Sequence, residues 1–241
     1  MTGRTTKAIA AFAKKAVGRL AEDTGLAFRV ATNAFEAQSA RDGVVDASGK
    51  LNTIACSLMK IANDLRWLSS GPRGGLGEIR LPELQPGSSI MPGKVNPVIP
   101  EAVAMACARV MGNHVTITVA AASGNLELNV MMPVMAQALL ESVTLLSGAA
   151  DSLRKRCVEG IEADQARCTE LVERSLAMAT ALVPVIGYDA AAQIAKTAWA
   201  EGRTVREVVE ESGVLSKADI PRVLDAMGMT EPGLPGSPTR R

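Results

Sequence analysis

Apolar residues recur at spacings of three and four along most of the chain, which predicts long helices. Thr5 to Asp23 has the pattern of an amphipathic helix that Gly25 ends, and residues 27–33 form an irregular connector. A second helix is predicted from about Phe35 to Leu68. Its apolar residues are spaced as on a helix inside a bundle, and they are Ile54, Leu58, Ile61, Leu65 and Leu68.

Two more long helices follow, from Pro97 to about Ala122 and from Pro133 to Cys157. The first carries one stripe of Val103, Cys107, Val110 and His114, and the second carries Leu139, Val143 and Leu146. Shorter helices are predicted at 163–182, 188–200, 204–212 and 216–224, with Ser216 as the cap of the last one. The three long helices, at about 35–68, 97–122 and 133–157, would leave apolar flanks exposed in a monomer, so oligomerisation is expected.

These elements predict an all-α protein with two domains. Residues 1–158 form an elongated long-helix bundle that includes a long loop at 71–97. Residues 159–241 form a small helical domain with a flexible tail from about residue 229.

Composition narrows the class of protein. Aromatic residues make up only 2% of the 241 residues, which suits close helix packing better than a β-sandwich. The net charge of +1 gives no reason to expect a nucleic acid or membrane partner. With four scattered cysteines and a single histidine, His114, we expect buried or partly buried thiols in a reducing cytoplasm and no metal site. His114 is interpreted as a helix-packing or interface residue.

The segment from Gly71 to Pro97 interrupts the helices. It holds six glycines and five prolines in 27 residues, so no helix can cross it. A loop of this length inside a compact domain usually carries function.

The second half of this loop, GSSIMPGKVNP at residues 87–97, has the residue types that bind an anion. Serine hydroxyls, backbone N–H groups, a lysine and an asparagine amide can together hold a carboxylate or phosphate. The helix that follows adds positive potential at its N-terminus. The alternative is a loop shaped only by turns, with Lys94 in solvent, and composition leaves both interpretations open. A P-loop, a dinucleotide-binding motif and a Ser-His-acid set do not match the sequence.

This eleven-residue segment resembles the signature of the fumarase/aspartase superfamily. Residues 57–103, which contain it, resemble class II fumarase along their whole length, as do residues 110–136 and 160–198. The resemblance implies reversible hydration of fumarate to L-malate by a carbon-oxygen lyase that uses no metal or organic cofactor. It also implies a homotetramer with a shared helix bundle and active sites built from three subunits.

By position in the resemblance, Ser88 corresponds to the catalytic base, which leads to an aci-carboxylate intermediate. Lys94 and Asn96 correspond to residues that bind the substrate carboxylate, and Ser89 and the Val95 backbone complete the contacts. Glu101 corresponds to a carboxylate paired with the catalytic histidine.

The chain also departs from the family. Full-length members have a preceding segment with further substrate-binding residues and a Thr-His motif, and none of these motifs occurs in the 241 residues. His114 matches a different place in the family pattern, so Glu101 has no evident histidine partner here. The sequence-based hypothesis is therefore a C-terminal portion of a class II fumarase that needs the rest of the active site. Two alternatives remain, an aspartate ammonia-lyase portion and a non-catalytic helical protein that oligomerises.

Overall fold

The protein is described by a computed structural model that covers residues 7–85, 87 and 90–233. Helices account for most of these residues, which confirms the all-α prediction. The α-helices are α1 (Lys7–Thr24), α2 (Ala34–Ser39), α3 (Asp42–Leu68), α4 (Val98–Ala122), α5 (Met132–Arg156), α6 (Gln165–Glu173), α7 (Val183–Ile186), α8 (Tyr188–Glu201), α9 (Val205–Ser212) and α10 (Ile220–Val223).

The helix predicted from Phe35 to Leu68 is two helices, α2 and α3. Ala40 between them is extended, with φ −76° and ψ 145°. The Arg41 guanidinium donates hydrogen bonds to the carbonyl oxygens of Ala37 at 2.8 Å and Gln38 at 2.7 Å. These carbonyls belong to the last turn of α2, where no further helical N–H can reach them. Arg41 therefore stabilises a break that the apolar pattern does not show.

Two of the predicted shorter helices also differ from the observed ones. The helix predicted at 163–182 ends at Glu173, and after Arg174 and Ser175 the chain continues as a 3-10 helix, Leu176–Leu182. The Ser175 hydroxyl accepts a hydrogen bond from the Ala177 N–H and caps this second piece. The helix predicted at 216–224 is α-helical only in α10, where a proline follows Ile220 in the first turn.

A small antiparallel sheet was not predicted. Strand β1 (Ile79–Arg80) pairs with β2 (Glu162–Ala163), with Ile79 opposite Ala163 and Arg80 opposite Glu162. Strands of two residues leave no readable alternation in the sequence, since a period of two needs more residues to be recognised.

Packing divides the residues into two compact units. One contains residues 1–64 and 98–156, and the other contains residues 65–97 and 157–241. The long loop thus groups with the C-terminal residues, whereas the sequence-based division at residue 158 places it with the bundle. That division into domains stays a prediction.

In the first unit, α4 packs against α5 along one buried face of each helix. The buried residues of α4 are Pro100, Val103, Cys107, Val110, Asn113, Ile117 and Ala120. Those of α5 are Met135, Ala138, Ser142, Leu146 and Leu153. The α4 stripe is as predicted, whereas on α5 only Leu146 of the predicted face is fully buried, and Val143 is exposed. The Asn113 amide donates to Ser142 Oγ at 3.2 Å, so the polar groups of this contact satisfy each other.

Helix α3 buries a different line of residues from the predicted one. Ser48, Ala55 and Ala62 are buried, while Ile54 and Ile61 are about half exposed. His114 on α4 lies within 3.0 Å of the Ser48 hydroxyl through its Nδ1 atom, so its predicted role in helix packing is confirmed. Leu58, Leu65 and Leu68 of the predicted line are partly buried, so only its two isoleucines are exposed on this chain.

Helix α4 is long and apolar enough to cross a membrane by length and composition. Its seven buried residues repeat at three and four positions and contact α5, which is the pattern of a bundle helix. Arg109, in the middle of α4, is held by Glu141 of α5 at 3.0 Å. These contacts favour a helix within a protein bundle over a membrane-spanning helix.

The cysteines follow the prediction except at one position. Cys107 and Cys157 are buried, Cys168 is partly buried and Cys56 is exposed. Burial raises the pKa of the Cys107 and Cys157 thiols, because a thiolate loses hydration there. Both thiols therefore stay protonated at neutral pH.

The second unit has its own core, formed by α8, α9, α10 and the 3-10 helix that precedes α7. Its fully buried residues include Ala181, Leu182, Val205, Val209 and Val223. Thr204 and Glu207 form a capping box that starts α9. Arg206 then joins α9 to α6, because its guanidinium makes two hydrogen bonds to Glu173, at 2.7 and 2.9 Å, and one to the Leu224 carbonyl oxygen.

Arg206→Met is expected to lower the free energy of unfolding by about 1–2 kcal/mol, because it removes charge-assisted hydrogen bonds to a carboxylate that is only 32% exposed. Urea unfolding followed by circular dichroism measures this loss. The matched control is Arg174→Met, which removes a more exposed pair with Glu170 and should change stability by less than about 0.5 kcal/mol.

The loss caused by Arg206→Met should also depend on pH. The Arg206 hydrogen bonds lower the pKa of Glu173 below its ordinary value. The stabilisation from the ionised carboxylate is therefore present above the unfolded pKa of about 4.3 and disappears as the pH falls through the lower folded value. Equal losses at neutral and strongly acidic pH would contradict this account.

Candidate active site

The polar loop predicted to bind an anion is closed by two hydrogen bonds between its ends. The Gly87 N–H donates to the Lys94 carbonyl oxygen at 2.7 Å. The Asn96 amide nitrogen donates to the Gly87 carbonyl oxygen at 2.9 Å. Both backbone polar groups of Gly87 are thus engaged, and Gly87 is joined directly to Lys94 and Asn96 at the other end of the loop.

Inside the loop, residues 91–94 make a tight turn. The Lys94 N–H donates to the Met91 carbonyl oxygen at 3.3 Å, and Gly93 has φ +76°. Proline at the second position and a glycine with positive φ at the third are the residues that a type II turn favours. The sequence MPGK therefore determines the local backbone and places the Lys94 side chain just after the turn.

Only glycine fits at position 87, because a Cβ atom there would clash with the backbone of Lys94. A Cβ atom at this position would lie 2.4 Å from the Lys94 carbonyl oxygen and 2.8 Å from its carbonyl carbon. Such distances are far below a van der Waals contact. Both atoms belong to the backbone, which cannot rotate away as a flexible side chain can. Glycine at position 87 therefore allows the backbone of the loop to approach itself closely.

The predicted site residues fall into three groups. Lys94, Val95 and Asn96 lie together in the closed loop, with Lys94 and Val95 exposed and Asn96 partly buried. Glu101 lies in the first turn of α4, in the first unit, where a carboxylate is favoured by the helix dipole. Ser88 and Ser89 lie outside the described residues, so their predicted roles stay predictions.

The Asn96 amide has a use that the sequence did not show. Its hydrogen bond to Gly87 occupies one of its two N–H groups. Asn96 was predicted to bind substrate, and in the structure it also helps to close the loop. Among the described residues, no three His, Cys, Asp or Glu side chains come together as ligands for a metal ion.

The segment that precedes the loop is held by residues that sequence reasoning missed. Arg167 of α6 donates to the carbonyl oxygens of Leu76 at 2.9 Å and Gly75 at 3.2 Å. Asp164 accepts from Arg80 at 2.8 Å and from the Arg167 N–H at 3.0 Å. These hydrogen bonds lower the pKa of Asp164, the one from Arg80 most of all. No short-range pattern links positions so far apart, and only the β1–β2 pairing brings them together.

Gly87→Ala is expected to open the loop, since the new Cβ cannot coexist with the Lys94 carbonyl. The amide protons of residues 87 and 94 should exchange with solvent faster, by about tenfold or more, while α4 and α5 keep their protection. Hydrogen–deuterium exchange measures both. The control is Gly148→Ala in α5, where a Cβ meets no atom within 4 Å. Unchanged exchange in the loop of the Gly87 variant would show that the close contact is dispensable.

Comparisons with known proteins agree with the loop and the helices. The family model described as Lyase matches residues 1–112, and the model described as Fumarase C C-terminus matches residues 178–231. The class II fumarate hydratase of Xylella fastidiosa (strain Temecula1) is 51% identical over 223 residues, 92% of this chain and 47% of that protein. The mitochondrial fumarate hydratase 1 of Arabidopsis thaliana is 55% identical over 215 residues, 89% of this chain and 43% of that protein.

Solved structures give the same result. A fumarate lyase:delta crystallin from Brucella melitensis superimposes with a TM-score of 0.86 at 50% identity, covering 92% of this chain and 48% of that one. The class II fumarase of Schistosoma mansoni superimposes with a TM-score of 0.81 at 36% identity and the same coverage. A 3-carboxy-cis,cis-muconate lactonizing enzyme from Pseudomonas putida, 28% identical, has a TM-score of 0.71 over 90% of this chain and 50% of that one, so related folds carry other chemistry.

The chain spans about half the length of the curated relatives that it matches. The matched half includes the closed loop at residues 87–97 and residues 178–231 of the second unit. Over about nine-tenths of its own length, the chain is therefore similar to class II fumarate hydratases.

Proposed function

We propose that this chain supplies the substrate loop of a fumarate hydratase, a carbon-oxygen lyase that interconverts fumarate and L-malate. The observation that carries the proposal is the closed loop at residues 87–97, in a chain about 50% identical to fumarate hydratases. The substrate class is a small C4 dicarboxylate, and the reaction is an anti addition and elimination of water.

The loop suits one carboxylate of such a substrate. Lys94 supplies a positive charge on an exposed side chain directly after the tight turn. The Val95 backbone and Asn96 follow it, so the charge and the hydrogen-bonding groups come from three consecutive residues. Fixed donors of this kind bind a carboxylate, and they bind it more strongly as negative charge develops on it.

Ser88 is proposed as the base that removes a proton from the carbon next to this carboxylate, and Ser89 as a further substrate contact. Loss of the proton moves the electron pair toward the carboxylate and gives an aci-carboxylate. A serine hydroxyl is a weak base, so its alkoxide needs neighbouring N–H groups and a positive charge. Lys94 serves both needs, because one cation can stabilise the base before proton transfer and the intermediate afterwards.

The group that handles the leaving hydroxide is proposed to come from residues outside this chain. Glu101 is assigned to orient a histidine, yet the 241 residues contain only His114. The His114 ring is paired with Ser48 in the contact between α3 and α4, so it serves helix packing. We therefore propose that residues other than these 241 complete the acid half of the site.

Self-association follows from the exposed apolar side chains of the long helices. Ile54 is 49% exposed, and Met105 and Val115 of α4 and Leu140 of α5 are exposed by more than 60%. Apolar patches of this kind on a bundle mark an interface. We assign this surface to other copies of the chain, with a homotetramer as the assembly.

For the compartment we propose the cytoplasm, on the cysteine usage, although the relatives include bacterial and mitochondrial proteins.

The decisive assay follows fumarate by its ultraviolet absorbance, with L-malate and, in parallel, L-aspartate as substrate. The chain is assayed alone and together with the N-terminal half of the Xylella fastidiosa relative. Ser88→Ala should lower kcat on the order of a thousandfold, because the base is lost. Lys94→Met should both raise KM and lower kcat, because the same cation binds the carboxylate and stabilises the charge that develops during the reaction.

Each outcome of this assay decides one point. Malate turnover by the chain alone would show that it contains its own acid. Turnover of aspartate in place of malate would contradict the proposed substrate. A Ser88→Ala loss below tenfold would mean that the base lies elsewhere.

The assembly is tested by replacing both Ile54 and Ile61 with serine. Both are exposed in this chain, so the variant should keep its helical circular dichroism and sediment as a smaller species than the unmodified chain. Sedimentation velocity over a range of concentrations measures this. Lys60→Gln on the same helix is the control and should leave the sedimentation unchanged. A monodisperse monomer of the unmodified chain would rule the assembly out.

A further inference from the structure

The substrate loop obtains its position from the segment before it. The hydrogen bonds from Gly87 and Asn96 join the loop to itself, so they fix its shape and not its place in the second unit. Its place depends on where the chain is attached on either side. On the N-terminal side, residues 75–82 lie along residues 160–168.

Three attachments follow one another along this segment. Arg167 holds the carbonyl oxygens of Gly75 and Leu76. Next, β1 pairs with β2, and the Asp164 N–H donates to the Glu78 carbonyl oxygen at 2.9 Å. Last, the Pro82 ring lies against Gly160, five residues before the loop closes at Gly87.

The last attachment is a contact that only a glycine allows. A Cβ at Gly160 would lie 2.5 Å from Pro82 Cγ. The φ of Gly160 lies outside the left-handed region, so its backbone would accept an alanine and only the lack of space forbids one. A proline ring is stiff and cannot swing away as a long side chain would. A methyl group at position 160 must therefore push Pro82, and with it the start of the loop.

We propose that Gly160 is a positioning residue for the substrate loop: its bare backbone receives the Pro82 ring and thereby sets where Lys94 and Asn96 present their donors. This inference rests on the proposed function for the meaning of the loop. Its physical content, that the contact positions the loop, can be measured without substrate. Gly160 touches no reacting atom and acts only through Pro82.

The experiment compares four forms of the 241-residue chain: the unmodified chain, Gly160→Ala, the double variant Gly160→Ala with Pro82→Ala, and Gly74→Ala. The double variant removes the ring atom that the new methyl group would meet. Gly74→Ala is the matched control, because it lies in the same flanking segment and a Cβ there meets nothing within 4 Å. Hydrogen–deuterium exchange of residues 83–97 and calorimetric titration with succinate, an unreactive dicarboxylate, are measured on each form.

Gly160→Ala should raise exchange in residues 83–97 by about tenfold and weaken succinate binding by a similar factor, with the protection of α8 and α9 unchanged. The double variant should return both values to within about twofold of the unmodified chain, and Gly74→Ala should leave them unchanged. Exchange that stays within twofold in Gly160→Ala, or that the second substitution fails to restore, overturns the proposal. If the unmodified chain does not bind succinate, the loop alone does not hold a dicarboxylate, and exchange by itself then decides the role of Gly160.

Discussion

The polar loop of this protein is closed by a contact between Gly87 and Lys94, at a separation that no side chain at position 87 would permit. The Gly87 N–H and carbonyl oxygen are both used in the closure, one by the Lys94 backbone and the other by the Asn96 side chain. A loop built in this way needs neither a strand nor a helix to keep its shape. That independence allows a mainly helical chain to present a charge and several hydrogen-bond donors from one short segment.

Closure and placement are separate problems, and they are solved by different residues. The turn at 91–94 and the contacts of Gly87 are local, whereas the flank of the loop depends on residues 160–168. The C-terminal residues therefore have a function besides forming a core of their own. Their α6 is tied to α9 through Glu173 and Arg206, so the flank of the loop rests on a well-connected part of the unit.

Much of the fold was predictable, because long helices leave a strong periodic signal. The α4 stripe of Val103, Cys107 and Val110 is buried as predicted, and both ends of α4 and α5 lie within a residue or two of the expected ones. The break at Ala40 was missed because it depends on a guanidinium that satisfies helix carbonyls, which no apolar pattern reports. The two-residue strands were missed because they are too short to show alternation.

The candidate site was predictable in its residue types but not in its geometry. The sequence indicated Lys94 and Asn96 as candidate residues for an anion site, and that role stays a prediction. It could not show that Asn96 also closes the loop, or that Arg167 and Gly160 hold its flank, since these contacts join residues far apart in sequence. Long-range contacts are set by the whole fold and leave no local periodicity.

Helix α3 buries Ala55 and Ala62 within this chain and turns Ile54 and Ile61, one position earlier, toward solvent. At these four positions the small side chains are buried and the large ones are exposed, whereas Leu58 and Leu65 of the same helix are partly buried. In this chain by itself, the apolar side chains of Ile54 and Ile61 are therefore open to solvent. Exposed apolar side chains on a partly folded chain favour aggregation, so any partner that covers them early would lower that risk during folding.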